Sequence, residues 1–353
     1  MKKRKDSFLG IHFDFHSRGD KPVAPELGYD VAAKMLDEVK PDYVQIDTKG
    51  HPGFSSYPTK VGNPAPVIIG NQVKMWRELT AERGITLYAH HSGLFDQYAA
   101  KLHPEWAIKN ADGTVSSDYM SVFGDYDDKL LIPQLIELAV DMKFDGVWID
   151  GECWAVHPDY SMMATTKWKQ ISDSEPPKPG EDSYSDYIDF IRKGFEDHVK
   201  HYTSEVKKIA PDFEITSNWI YSAYMPEHPN VKVDFLSGDY SPRNSVNSAR
   251  INGRYIACHG IPWDLMAWGH DSDGTWTSNN RSTKEYVQYA QEAAYVISLG
   301  GGFQFYNIQY GEGGTIQEWA IPIWKKTADF VREREPFLKD SSLVHETAVF
   351  LPT

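Results

Sequence analysis

Eight times along this chain a short, strand-like apolar run gives way to a helix-like or loop-like stretch. "FLGIHFDF" (8–15) precedes "YDVAAKMLDEV" (29–39), and "DYVQIDTKG" (42–50) precedes "NQVKMWRELTAERG" (71–84). "ITLYAHHSG" (85–93) precedes "DKLLIPQLIELAVDM" (128–142), and "FDGVWIDGE" (144–152) precedes "YSDYIDFIRKGFEDHVKHYTSEVKKI" (184–209). Four more runs, 213–219, 233–240, 260–269 and 302–309, are interleaved with or followed by 245–253, 284–300 and 318–335. After the fifth run, "IYSAYMPEHPNV" reads as loop, so the fifth helix is the weakest. Short runs rich in Val, Ile, Phe and Tyr suit strands covered on both faces, while the longer stretches carry apolar residues at helical spacing. Repeated strand-then-helix units build a parallel sheet, and eight of them predict an α/β fold, the (β/α)8 TIM barrel.

The length, 353 residues, suits one such barrel with long loops. The barrel is expected over 1–340. The tail, 341–353, contains "HETAVFL", a strand with nothing to pair with inside a closed barrel. It reads either as an exposed tail or as the first strand of a second domain that is missing here. Long insertions follow runs two, three and four, where loops shape a barrel's functional end.

A net charge of −14 argues against nucleic acid, phosphate polymers and anionic membranes as partners, and is compatible with a neutral sugar. With 11 Trp and 20 Tyr the chain has aromatic rings beyond the needs of a core. Its two cysteines, Cys153 and Cys258, have no metal-ligand spacing, so the reading assigns no disulfide framework and no metal or other cofactor. The start, "MKKRKDSFLGIHFDFHS", is basic but is interrupted by His12, Asp14 and His16 where a signal sequence needs an apolar run. No apolar stretch is long enough to cross a membrane. A cytoplasmic location is the expectation, and the oligomeric state stays open.

In such barrels the chemistry sits at the C-terminal ends of the strands. Reading each run to its end gives His12, Asp14 and His16; Asp47, Lys49 and His51; His90 and His91; Asp150 and Glu152; Asn218 and Trp219; Asp239; Trp268 and His270; Asn307 and Gln309. Any one of these is an ordinary solvated strand end or a helix cap. A ring of them at eight ends points to a site. The alternation in "HFDFH" favours a metal-dependent amidohydrolase-type barrel, but strands five, six and eight end in Asn218, Asp239 and Asn307 where metal-binding His would be needed. A pair of carboxylates facing across the mouth suits a retaining glycosidase. Asp150 and Asp239 are the pair, with Glu152 as a second candidate for the proton donor. A sugar-binding barrel without catalysis is the third reading, and it would not need both carboxylates.

The residues also resemble a family. "PDYVQIDTKGHPGFSSYPTK" (41–60) resembles the α-L-fucosidase segment "DYVVLTAKHHDGF", "FLGIHFD" (8–14) resembles "GIHWG", "GITLYAHHSG" (84–93) resembles the third strand of that family, and "FDGVWIDGE" (144–152) resembles its nucleophile strand "D-x-x-W-F-D-G". Order and spacing agree over 1–155. The chain looks most like glycoside hydrolase families 29 and 151, the latter with a β-galactosidase-like trimerisation domain after the barrel. It departs where Gly50 and Pro52 replace the first His and the Asp of "HHDGF". The resemblance implies release of a terminal sugar, α-L-fucose, with retention, from a small carbohydrate substrate. It implies Asp150 as nucleophile and His12, His51, His90 and His91 as contacts to sugar hydroxyls. Asp14, Trp148, Trp154, Asn218, Trp268 and Asn307 complete the expected binding set from their strand ends. Family 42 β-galactosidases are the nearest alternative, but strand four ends in "DGE" and strand seven in "WGHD", which misses their Asn-Glu pair and their later Glu.

Overall fold

The computed structural model describes residues 2–353 apart from 15–18, 21, 25–26, 153–156, 219–227, 272–281, 309–313, 340, 342–343, 345–346 and 350–353. Eight strands form one sheet: β1 (Leu9–Asp14), β2 (Tyr43–Lys49), β3 (Thr86–Ser92), β4 (Gly146–Asp150), β5 (Glu214–Ser217), β6 (Leu236–Asp239), β7 (Trp263–Trp268) and β8 (Gly302–Ile308). Their spatial order is β5-β4-β3-β2-β1-β8-β7-β6, and each neighbouring pair is parallel. The seam between β5 and β6 is bridged by Asp234 N donating to Ile215 O at 3.0 Å and Ile215 N donating to Asp234 Oδ2 at 2.7 Å. This is the expected (β/α)8 barrel.

Helices Tyr29–Val39, Gln72–Glu82, Ile132–Val140, Tyr184–Ile209, Ser245–Ala257, Tyr286–Ser298 and Ile321–Leu338 alternate with the strands. Residues 228–235, after β5, form no helix. The helix Gln72–Glu82 shows why the pattern is legible. The Asn71 side chain caps it by accepting from Lys74 N at 2.9 Å. Val73, Trp76, Leu79 and Thr80 recur on one face and are buried. Gly84, at φ 66°, takes the left-handed backbone that ends the helix. The Trp76 ring stacks on Phe13 of β1 with centroids 5.5 Å apart, and replacing a buried Trp by Ala costs about 3–5 kcal/mol.

The N-terminal basic cluster closes the base of the barrel. Arg4 Nε donates to Asp264 Oδ2 at 2.6 Å, and the guanidinium lies over Tyr43, Phe235 and Tyr88 at 3.6, 4.4 and 4.6 Å. The interior there is so full that β1 needs a glycine: a Cβ on Gly10 would lie 2.0 Å from Tyr43 Cζ. Among the described residues no helix is long and apolar enough to cross a membrane. Of the strand expected at 345–351, residues 347–349 are described and belong to no strand; 345–346 and 350–351 lie outside the described residues.

Candidate active site

Every described strand residue in β1 to β4 is buried, because helices cover one face and the barrel interior the other. Burial therefore cannot say which way a side chain points, but register can, since paired residues share a face. His12 pairs with Gln45 and Tyr306, and Asp47 pairs with His90, which pairs with Trp148. Their rings and carboxylates meet inside the barrel. His12 Nε2 lies 3.2 Å from His90 Nδ1, and Asp47 Oδ1 and Asp14 Oδ1 lie 3.7 and 3.8 Å from the same nitrogen. Asp14 Oδ2 also accepts from the Tyr306 hydroxyl.

His90 Nε2 points up at the tip of β4, 3.0 Å from Asp150 Oδ2. Asn218 Nδ2 donates to Asp150 Oδ1 at 2.8 Å, and His51 Nε2 is 3.4 Å from Oδ2. Both oxygens are thereby met by donors, as an ionised carboxylate requires. His51 is itself oriented by Ser92 Oγ, 2.5 Å from its Nδ1. Burial alone would strip the proton from His90, but Asp14, the hydrogen-bonded Asp150 and Asp47 outweigh it and raise its pKa. His90 thus faces His12 with one ring nitrogen and Asp150 with the other.

Asp239, at the tip of β6, is in the opposite situation. Burial first, then the charge of Asp150, push its pKa up to about 7, with the Trp268 hydrogen bond and His90 pulling the other way. Asp239 Oδ1 and Asn218 Oδ1 are buried and meet no hydrogen-bond partner among the described residues. Two neighbouring carboxyl groups in environments this different suit an acid and an anion side by side.

Not every expected residue joins this group. His91 follows His90, so strand alternation turns it outward, where Thr48 Oγ1 at 2.9 Å and Gln134 Oε1 at 3.3 Å hold it. Asn307 pairs with Phe13 on the outer face and sits beside Gly269, not beside His12. Glu152 is wholly buried behind the barrel against His198, Tyr202 and Ser217. Lys49 should point inward two residues after Asp47, but the register shift between them turns it out to Asp96, Tyr126 and Gln134. Trp148 does face inward, as a 2% exposed floor under His90 whose Nε1 donates to Ser237 O at 3.1 Å. Trp268 is half-buried at the rim, with its ring 5.3 Å from Tyr306. Trp154, His16, Trp219 and Gln309 lie outside the described residues. Tyr306 was missed, although counting alternation along "GFQFYNIQ" from its buried Phe303 and Phe305 puts it inside. Asp14, Asp47 and His90 each offer one donor atom within 4.8 Å of the others, close enough for a cation.

No family model matches the chain, and no curated protein matches it in sequence. Solved structures do. α-L-Fucosidase isoenzyme 2 from Paenibacillus thiaminolyticus is similar with a TM-score of 0.79 at 16% identity, over 96% of this chain and 51% of that one. Isoenzyme 1 of the same organism gives 0.59 at 14%, over 96% and 76%. The Thermotoga maritima α-fucosidase, solved with a mechanism-based inhibitor, gives 0.58 at 13%, over 96% and 75%. At these identities what is shared is the fold. The chain spans about half the length of the first of the three.

Proposed function

We propose that the chain is a retaining glycoside hydrolase that releases terminal α-L-fucose, with Asp150 as nucleophile and Asp239 as general acid/base. The observation that carries this reading is the pair itself: Asp150 held by donors on both oxygens, and Asp239 close enough to feel its charge and lifted to about 7. In the first step an Asp150 oxygen bonds to the anomeric carbon as the glycosidic bond breaks, and the Asp239 proton goes to the leaving oxygen. In the second, Asp239 takes a proton from water, which attacks the same carbon and frees Asp150. His90 and Asn218 keep the nucleophile oriented, a service that effective-molarity arguments value at several kcal/mol. His12, His51 and Asp14 line the same interior and suit secondary hydroxyls, while the Trp268 face suits the methyl of a 6-deoxy sugar. Likeness to the three fucosidases supports the sugar, and an unpaired 6-hydroxyl would cost about 1–3 kcal/mol against such a wall.

A panel of nitrophenyl glycosides tests this. The α-L-fucoside is expected to turn over faster than the β-D-galactoside and α-L-arabinoside, with the α anomer of fucose appearing first by NMR. Faster galactoside hydrolysis or a β first product would overturn the reading.

A further inference from the structure

Glu152 is left without a part in the chemistry above, yet it sits in a buried charge cluster outside the site. Its Oε1 lies 2.8 Å from His198 Nε2, and the other nitrogen of that ring, Nδ1, lies 2.7 Å from Asp127 Oδ2. Its Oε2 accepts from Tyr202 OH at 3.0 Å and from the Ser217 hydroxyl. His198 and Glu152 have no exposed side-chain surface. A buried carboxylate–imidazolium–carboxylate triad is a poor way to gain stability, because the cost of removing three charges from water consumes most of their attraction. Such clusters fix geometry, and what this one fixes can be read from its connections.

Glu152 is two residues beyond Asp150, across Gly151 in a left-handed conformation at φ 70°. The last ladder bonds before it are Gly93 N to Asp150 O and Asn218 N to Ile149 O, both 2.8 Å. Beyond them no further backbone hydrogen bond ties the tip of β4 to the sheet among the described residues. The second tie is Ser217, on the outer face of β5, whose next residue is Asn218, the donor to Asp150 Oδ1. One carboxylate therefore grips, from behind, both the backbone that carries Asp150 and the strand end that carries its amide partner. Asp127 sits in the segment Asp127–Leu131 that opens the helix Ile132–Val140, and His198 and Tyr202 lie on the helix Tyr184–Ile209, so the grip is anchored in two helices.

We propose that Glu152 is a positioning residue, which, with His198 and Asp127, sets the aim of the Asp150 carboxylate and its Asn218 partner; this rests on Asp150 being the nucleophile. It acts through the backbone and through Ser217 and never touches the sugar. His198 is the cation of the triad: burial opposes its charge, but Asp127 and Glu152 lift its pKa to about 10.

Glu152→Gln keeps the shape and removes the charge. Misplacing a reacting group by about 1 Å costs on the order of 10²-fold, so kcat on nitrophenyl α-L-fucoside is expected to fall about 10- to 100-fold with KM within about twofold. The fall should be equal for nitrophenyl and dinitrophenyl leaving groups, because proton donation stays with Asp239. Ser217→Ala leaves the triad charges in place and should lower kcat about fivefold, the worth of one hydrogen bond; it carries the test if Glu152→Gln does not fold. A Glu152→Gln enzyme with wild-type kcat, or Ser217→Ala with wild-type kcat where the first variant does not fold, overturns the proposal. So does a loss confined to the poorer leaving group, which would make Glu152 the proton donor. Asp150→Gly, assayed with and without azide, separates the two readings. Inactivity rescued by azide upholds the nucleophile whatever Glu152 does, and full activity without azide removes it and the proposal together.

Discussion

Asp239→Asn should slow hydrolysis of poor leaving groups, and at neutral and alkaline pH, but not near pH 4, it should stabilise the protein. The usual carboxyl value of 3.8 is raised to about 7 in the fold. The native state therefore holds a proton that the unfolded chain has already released, so stability is complete below about pH 4 and drains away as pH rises toward 7. At about 1.4 kcal/mol per unit the full loss is about 4 kcal/mol. Asparagine is nearly the same shape and never ionises, so the variant escapes the loss. Unfolding entropy of about 2.1 cal/mol/K per residue over this chain converts 4 kcal/mol into a Tm difference of about 5 °C. Thermal unfolding of both proteins from pH 4 to pH 8 is the assay. The expected result is equal Tm near pH 4 and a variant about 5 °C more stable at pH 8. A difference independent of pH, or a wild type more stable at pH 8, would mean that Asp239 ionises like an ordinary carboxylate and is not a poised acid.

Three further outcomes are expected. Asp239→Ala should slow a poor leaving group far more than dinitrophenolate, and wild-type kcat/KM should fall as pH rises through about 7, where the acid loses its proton; equal losses on both substrates would move the acid elsewhere. Lys49→Met leaves Asp96 buried without its 2.9 Å ion-pair partner and should cost about 3–5 kcal/mol, read as a lower urea midpoint, whereas an unchanged midpoint would contradict the buried pairing. Dialysis against EDTA should leave fucoside hydrolysis unchanged; a loss restored by zinc or manganese would make Asp14, Asp47 and His90 a metal centre.

The barrel was legible because its signal is local. Val147, Trp148 and Ile149 announce a buried strand from sequence alone, and Asn71, Trp76 and Gly84 mark a helix from cap to stop. The strand tips were legible for the same reason, and His12, Asp14, His51, His90, Asp150, Asn218 and Asp239 do meet. What failed was direction. His90 and His91 look alike in sequence, yet alternation sends one to Asp150 and the other to Gln134. The shift that turns Lys49 away from Asp47 leaves no trace in "IDTKG". Ionisation was harder still. The pull on the His90 proton is invisible in sequence, because the carboxylates that raise its pKa against burial, Asp14, Asp150 and Asp47, arrive from three other strands. Glu152 reads as a second acid from its strand end, and only the fold brings its Oε1 to 2.8 Å from His198 Nε2.

The pairing of β1 with β8 also has a consequence in time. Leu9 cannot meet Phe303, nor Arg4 reach Asp264, until the long segment between them has been made. At about 5–20 residues per second, translation of the intervening segment takes roughly 15 to 60 seconds. Throughout that interval the β8 side of β1 has no native partner. Were β1 to β4 to pair as they emerge, the edge of β1 that β8 later covers would stand as an open template for wrong pairing. β1, which carries His12 and Asp14, is flanked on one side by a strand made soon after it and on the other by one made long after.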